Sequence, residues 1–354
     1  MGVGRNLAAS AELRRSSSEI VARALELQRS RWPTTFESFT ASQLARTEQD
    51  TGYHIEFLAS SLWAGEQVLF DDYVAWVKTL FVTLGLPIEW LDGSLVDVRD
   101  AVSDITSPEV ATLAAQMIDG SLDMLATRGT DIPSFMEPIH PLGGLGRRYL
   151  SAVLGGDRRS ATAMILEAAE SGVAVADIYL HVFQRVQREL GRLWQANTIT
   201  VAQEHLATAV TQMVMSQLYS YVFSSEKGSH VLVASCVGGE LHEIGMRMVA
   251  DFFEMGRWDT YYLGANTPAA SVVQTVVQTK AEVLALSATM SFNVQELADV
   301  VSVLRAEPRA RNVRVLVGGY PFNLAPELWS TVGADGYAAD ASSALKVADE
   351  LVSR

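Results

Sequence analysis

The segment Gly239-Glu240-Leu241-His242-Glu243-Ile244-Gly245 sets one imidazole two residues after a carboxylate, between glycines. It follows the apolar run 230–236 and precedes a helical apolar pattern, so it reads as the loop leaving the carboxyl end of a first strand. Open α/β sheets bind ligands at that edge. A histidine there, with one ring nitrogen held by a neighbouring carboxylate, presents the other to a metal. Further along, Gly264-Ala-Asn266, Ser287-Ala-Thr289 and Gly318-Gly319 place small or polar residues after successive strand-like runs. An extended ligand could thread among them. Upstream, Trp194 is followed after nine residues by Glu204-His205. Earlier still, Arg46, Asp50 and His54 fall at i, i+4 and i+8, flanked by Tyr53 and Phe57. On a helix these three share a face.

The elements that must position these groups form three blocks. Strand-like runs at 230–236, 258–263, 283–288, 313–317 and 335–338 alternate with helical patterns of 10–15 residues. That pattern predicts a five-stranded doubly wound parallel sheet over residues 226–354. Residues 145–154, 160–171, 175–194 and 200–223 show apolar spacing of a helical period, with breaks at Gly155-Gly156-Asp157, Gly172 and 196–199. A four-helix bundle is expected within residues 131–225. The first 130 residues read as helices throughout, clearest at 39–64, 67–84 and 107–128, with Pro87 and the stretch 91–97 as interruptions. Six or so helices of this size suggest a globin-like or bundle sensor domain. The fold class is therefore α plus α/β, in three parts: 1–130, 131–225 and 226–354. His140 falls in the linker after Pro133 and Pro138, and His181 is expected to complete a polar contact inside the bundle.

Composition narrows the chemistry. The chain has 354 residues, 49% of them apolar and 19% charged, enough to build large cores. Six histidines and one cysteine, Cys236, leave no disulfide framework and no thiolate zinc cluster, which suits a reducing cytoplasm. The polar N-terminal stretch and the lack of any run of about 18 apolar residues argue against a membrane. A formal charge of −14 opposes binding nucleic acid through phosphate neutralisation. No nucleophile with its base and no acid–base couple stands out, so an enzyme is not expected. For the first domain, a cation, a carboxylate and an imidazole along an aromatic-lined face suit an open-chain tetrapyrrole, with Arg46 for a propionate, Asp50 for pyrrole N–H groups and His54 for a ring carbonyl. Alternatives are a surface ion pair between Arg46 and Asp50, core roles for Tyr73 and Trp76, or a haem with His54 as axial ligand.

A bundle followed by a five-stranded domain with Glu240-x-His242-x-x-Gly245, Ser287-x-Thr289 and Gly318-Gly319 resembles the cobalamin-binding module, whose usual signature is Asp-x-His-x-x-Gly, Ser-x-Leu and Gly-Gly. The resemblance covers roughly residues 141–354. It implies that His242 replaces the cofactor's dimethylbenzimidazole tail as lower cobalt ligand and that the tail inserts beside the later motifs. Glu240 stands where Asp is more common, and Thr289 where Leu is.

The segment from Trp194 to Glu204-His205 resembles the motif of bacterial light-sensing B12 receptors of the CarH/LitR type. Methyl-transferring modules are not expected to carry it. The resemblance implies that Trp194 stacks over, and Glu204 accepts from, the 5′-deoxyadenosyl group of adenosylcobalamin, and that light releases that group and changes assembly. Such receptors place a histidine after the tryptophan as upper ligand in the illuminated state. Here it is Gln195, so either His205 or water is left for that position. The whole architecture, with Asp50-Thr-Gly-Tyr53-His54 and Phe70-Asp-Asp-Tyr73-Val-Ala-Trp76 ahead of the B12 module, resembles the photocobilins, which sense light with cobalamin and biliverdin. With Cys236 in the first strand, a bilin in the N-terminal domain would be non-covalent. The expected protein is a cytoplasmic homo-oligomeric photoreceptor; the competing reading is a corrinoid carrier that shuttles methyl groups.

Overall fold

The computed structural model describes residues 4–136, 141–223 and 227–353; His140 and the end of the linker around it lie outside them. The chain divides into two compact units, Met1–Thr130 with Met290–Gln295, and Asp131–Thr289 with Glu296–Arg354.

The first unit is helical: α1 Leu7–Arg15, α2 Ser17–Arg31, α3 Pro33–Ser38, α4 Ala41–Ala64, α5 Gln67–Thr83, α6 Ile88–Ile105 and α7 Pro108–Thr127. Helix α4 starts on a reciprocal cap, in which Thr40 Oγ1 accepts from the Gln43 N–H and Gln43 Oε1 accepts from the Thr40 N–H. It ends at Gly65, whose left-handed φ of 74° stops the helix. Its inner face buries Ile55, Leu58 and Leu62 against Ile20, Leu95 and Met117 of the neighbouring helices. The stretch 91–97, expected as an interruption, lies inside α6, because Leu91, Leu95, Val98 and Val102 repeat at helical spacing and are all buried. Pro87 instead precedes that helix. Arg31 grips both oxygens of buried Asp97 and ties α2 to α6, while the Glu12 carboxylate of α1 caps α7 at the Ser107 N–H, 2.6 Å away.

In the second unit the bundle comprises α8 Gly143–Leu154, α9 Arg158–Glu170, α10 Val175–Ile178, α11 Gln184–Gln195, α12 Val201–Gln217 and the short α13 Tyr219–Val222. The run expected as one helix over 175–194 is α10 and α11 joined by a π-helical turn, Tyr179–Phe183. That turn leaves Tyr179 buried, and its hydroxyl donates to Asp251 Oδ2 of the first helix after the bundle at 2.7 Å. Burial, partly offset by that bond, pushes the Asp251 carboxyl up to about 6. The run expected over 200–223 is broken at Leu218 between α12 and α13. His181 approaches Asp177 one turn earlier, at 3.8 Å.

The sheet has strands β1 Val231–Cys236, β2 Asp259–Tyr262, β3 Val283–Ser287, β4 Arg314–Gly318 and β5 Gly336–Tyr337, all parallel in the order β2-β1-β3-β4-β5. Helices α14 Ile244–Met255, α15 Ala269–Thr279, α16 Val294–Ala306, α17 Tyr320–Leu324, α18 Leu328–Thr331 and α19 Ala341–Val352 complete the winding. The chain leaves β1 outward on both sides, so the switch point lies between β1 and β3. Register there pairs Cys236 with Ser287 and Ser287 with Gly318, which aligns three strand ends at one edge.

Gly319 is required at that edge. Its φ of 112° belongs to a region L side chains avoid, and a Cβ would sit 2.0 Å from the Ala288 carbonyl oxygen. Gly319→Ala is expected to lower unfolding stability by about 2 kcal/mol or more, since strain and overlap add. Denaturant unfolding of the two proteins checks this; an unchanged midpoint would show that the loop yields freely.

Candidate functional site

The centre of the site is the loop from β1 to α14. The Glu240 N–H turns back to the Val237 carbonyl, and Gly239, at φ 78°, donates its N–H to Asn266 Oδ1 of the next loop at 2.8 Å. Asn266 in turn gives its N–H to the Glu240 carbonyl. This folds the Glu240 side chain inward until it is fully buried. Its Oε1 accepts from the His242 N–H at 2.9 Å and lies 2.6 Å from His242 Nδ1, while Oε2 accepts the Thr289 N–H at 2.6 Å. Burial pushes this carboxyl up, but the three donors outweigh it and hold it at about 2. A carboxylate can only accept, so Nδ1 carries a ring proton, and in the neutral imidazole Nε2 keeps its lone pair. The ring is exposed, and Nε2 is its open nitrogen. The bond to Glu240 raises the His242 pKa, with burial opposing it and the charges of Glu240 and Glu204 adding to the rise.

Glu204 belongs to a second set of residues, at one end of the bundle. Helix α11 ends at Gln195, the chain reverses through Asn197 at φ 51°, and α12 starts on a Thr200–Gln203 capping box. The Leu193 carbonyl takes the Thr198 N–H and the Trp194 carbonyl takes the Asn197 N–H, which closes the turn. Trp194 in the last turn of one helix and Glu204 in the first turn of the next therefore share one end of a helical hairpin. Trp194 is half-buried against the bundle core. Glu204 Oε1 accepts from the Thr208 hydroxyl at 2.9 Å, and Oε2 lies 3.5 Å from His205 Nε2. His205 is 74% exposed, whereas Gln195 is buried at 6%. The hairpin is bound to the sheet domain through Gln212, which donates to Glu243 Oε1 at 2.6 Å, and through Arg247, which reaches the Gln212 carbonyl and Ser216.

Of the other residues singled out, Ser287 is buried at the end of β3 and its carbonyl takes the Val237 N–H. Thr289 contributes its backbone, as a donor to Glu240, which its side-chain type did not signal. At Gly245 a Cβ would meet nothing within 4 Å, so the first turn of α14 is open beside His242. Asn266, Glu243, Thr208 and Gln187 join the site without having been assigned a role from sequence; the one local signal was Asn266 in a polar strand-end loop.

The N-terminal constellation is partly assembled. Arg46 and Asp50 form an exposed i, i+4 pair at 3.1 Å, and Tyr53 is 41% exposed. His54, in contrast, is buried, with Nδ1 2.8 Å from the Tyr73 hydroxyl. Phe57 stacks on Tyr73 at 3.8 Å and meets Phe292 edge-on. Burial, then the charges of Asp50 and Tyr53, raise the Tyr73 pKa, and the Tyr73 hydroxyl occupies the Nδ1 of His54.

Comparisons with known proteins agree with the C-terminal geometry. Residues 230–346 and 145–219 match two family models described as B12 binding domains, and residues 4–125 match that of Phycobilisome protein. The chain is 32% identical over 129 residues to dimethylamine corrinoid protein 3 of Methanosarcina acetivorans, with 36% of this chain and 59% of that protein covered. The protein of the same name from Methanosarcina mazei is 31% identical, with 36% of this chain and 75% of that protein covered. The HTH-type transcriptional repressor CarA of Myxococcus xanthus is 34% identical over 122 residues, 34% of this chain and 41% of that protein. The chain thus spans less than two thirds of the first of these relatives. In fold, the monomethylamine corrinoid protein of Methanosarcina barkeri superposes with a TM-score of 0.54 at 22% identity, covering 59% of this chain and 99% of that one. Among the described residues no helix is long and apolar enough to cross a membrane.

Burial of His54 has a consequence for pH. Burial lowers its pKa from 6.5 to about 4, so between those values the unfolded chain binds more protons than the folded one. The associated stability is fully present above pH 6.5 and is lost as pH falls towards 4, a span worth roughly 3 kcal/mol. His54→Gln keeps an acceptor for Tyr73 but does not titrate. It is expected to flatten stability against pH between about 5 and 6.5, the upper part of that window; equal slopes in urea titrations of both proteins would mean that His54 is solvated.

Proposed function

The chain belongs, through residues 145–346, to the B12-binding corrinoid proteins, and on that footing we propose that it is a non-enzymatic light sensor that takes adenosylcobalamin with its own tail displaced and His242 as lower cobalt ligand. The donor set fits the group. A neutral imidazole with Nδ1 fixed on a buried carboxylate offers Nε2, the exposed Leu241 supplies apolar surface beside it, and the backbone at Gly245 is uncovered. Bound adenosylcobalamin supplies a cobalt–carbon bond that visible light cleaves.

The observation that supports the sensor reading is the hairpin end shared by Trp194 and Glu204, of which Glu204 acts electrostatically on His242. Trp194 would pack against the adenosyl group and Glu204 accept from one of its hydroxyls. A carrier needs that face open to a partner enzyme. The dimethylamine corrinoid proteins favour the carrier as the second reading, through their likeness over 129 and 130 residues. In the sensor, loss of the adenosyl group removes what Trp194 and Glu204 pack on, and the bundle relaxes into a different homo-oligomer. His205, already exposed, or water is left to meet cobalt afterwards; buried Gln195 is not.

For residues 4–125 the reading is a biliverdin-type open-chain tetrapyrrole, favoured over haem by the phycobilisome match. Arg46 would meet a propionate and Asp50 the pyrrole N–H groups, beside Tyr53, His54 and Phe57. It would be held without a thioether, since Cys236 is the one cysteine of the chain and is buried in β1. The reading places the protein in the cytoplasm, with neither nucleic acid nor membrane as partner.

Two experiments test these points. His242→Ala is expected to bind cobalamin weakly or with its own tail on cobalt, changing the absorption spectrum; an unaltered spectrum removes the lower-ligand assignment. Protein purified from cells supplied with cobalamin and making biliverdin is expected to show adenosylcobalamin bands that green light converts, a separate red band, and a shifted elution volume on size exclusion. A spectrum and elution indifferent to light would favour the carrier.

A further inference from the structure

Glu204 does not hold its place alone. Behind it runs a ladder of side chains inside the bundle: Thr208 Oγ1 lies 2.9 Å from Glu204 Oε1 and 3.1 Å from Gln187 Oε1, Gln187 Nε2 lies 3.0 Å from Thr211 Oγ1, and the Tyr149 hydroxyl lies 3.1 Å from the same oxygen. Tyr149 and Thr211 are fully buried. The donor inventory constrains the direction of these rungs. The single Thr211 proton goes to the Ala207 carbonyl at 3.0 Å, so its oxygen can only accept from Gln187 and Tyr149. Gln187 must therefore turn its amide nitrogen to Thr211 and its oxygen to Thr208. Thr208 has one proton facing two acceptors, Glu204 Oε1 at 2.9 Å and Gln187 Oε1 at 3.1 Å, so the two share it in a three-centre bond, with the nearer, charged oxygen taking the larger part.

We infer that Thr208, oriented by Gln187 and anchored through Thr211 on Tyr149, is the positioning residue that sets the Glu204 carboxylate for a hydroxyl donor of the upper cobalamin ligand. This rests on the sensor reading of the site. One Glu204 oxygen is fixed by Thr208 and the other is left towards His205 and the open face. A carboxylate held in one rotamer loses less side-chain entropy when a ligand hydroxyl arrives, so the effect falls on ligands that carry such a hydroxyl.

The test is equilibrium binding in darkness, read by absorption, of adenosylcobalamin and hydroxocobalamin to the full chain and to Thr208→Val, Thr208→Ser and Glu204→Ala. Thr208→Val keeps shape and removes the proton. It is expected to weaken adenosylcobalamin about five- to tenfold while leaving hydroxocobalamin within about twofold, and Thr208→Ser is expected to restore the difference. Equal loss of both cobalamins, no loss of either, or failure of Ser to restore selectivity would overturn the positioning role. Glu204→Ala separates the two levels: if it too fails to discriminate between the cobalamins, the upper-face reading falls and the inference with it, whereas discrimination by Glu204→Ala without any by Thr208→Val sinks the inference alone.

Discussion

The rest of the site depends on a buried carboxylate, that of Glu240, which has no exposed surface and yet is held ionised. Burying such a group is costly unless its lone pairs are met. Here they are met from two places in the sequence, the His242 N–H and ring on its own loop and the Thr289 N–H after β3. The arrangement satisfies the charge, sets the imidazole tautomer and joins two strand-end loops across the switch point. Asn266 joins the second loop to the first, and the close approach of Gly319 to Ala288 joins the fourth to the third. Four successive loops are thus held as one rim, with His242 projecting from it.

Much of this was legible in the residues. Strand ends announced themselves because parallel strands buried on both faces are continuous apolar runs, and small or polar residues stop them. The Glu240–His242 spacing spoke for a held imidazole because two residues on a turn is a distance a carboxylate can bridge. The hairpin spacing was legible for a similar reason: nine residues between Trp194 and Glu204 span one helix end, a tight reversal and one capped start. What escaped was whatever depends on registry between elements. Thr289 acts through a backbone N–H, which any residue but proline supplies. Thr208 and Gln187 meet across two helices at a phase that neither helix reveals alone.

The N-terminal unit shows the limit of face arguments. Arg46, Asp50 and His54 share a helix face at i, i+4 and i+8, but α4 sinks into the unit along its length, from exposed residues near its start to buried ones after Ile55. The same face therefore begins as solvated surface and ends as core. The ion pair lies on the exposed part and the imidazole on the buried part, bonded to Tyr73. Periodicity reports the angle around a helix and says nothing of depth along it. The stretch 91–97 misled in a related way: Asp92, Gly93 and Ser94 look like a break, yet Gly93 is where the Trp32 indole packs, with a hypothetical Cβ 2.5 Å from that ring. A glycine demanded by a neighbour reads in sequence like one demanded by a turn.

The choice of Glu over Asp at position 240 follows from the same rim. A carboxylate that only orients the imidazole can sit on a short side chain, because His242 is two residues away. This one must also meet the Thr289 N–H at 2.6 Å on another strand's loop, with both oxygens engaged at once. The additional methylene supplies reach, and burial of the whole side chain restrains the rotamer freedom that length would bring. The length of the side chain at position 240 is therefore coupled to the loop after β3. Position 289 serves through its backbone donor, so its side chain is left to vary.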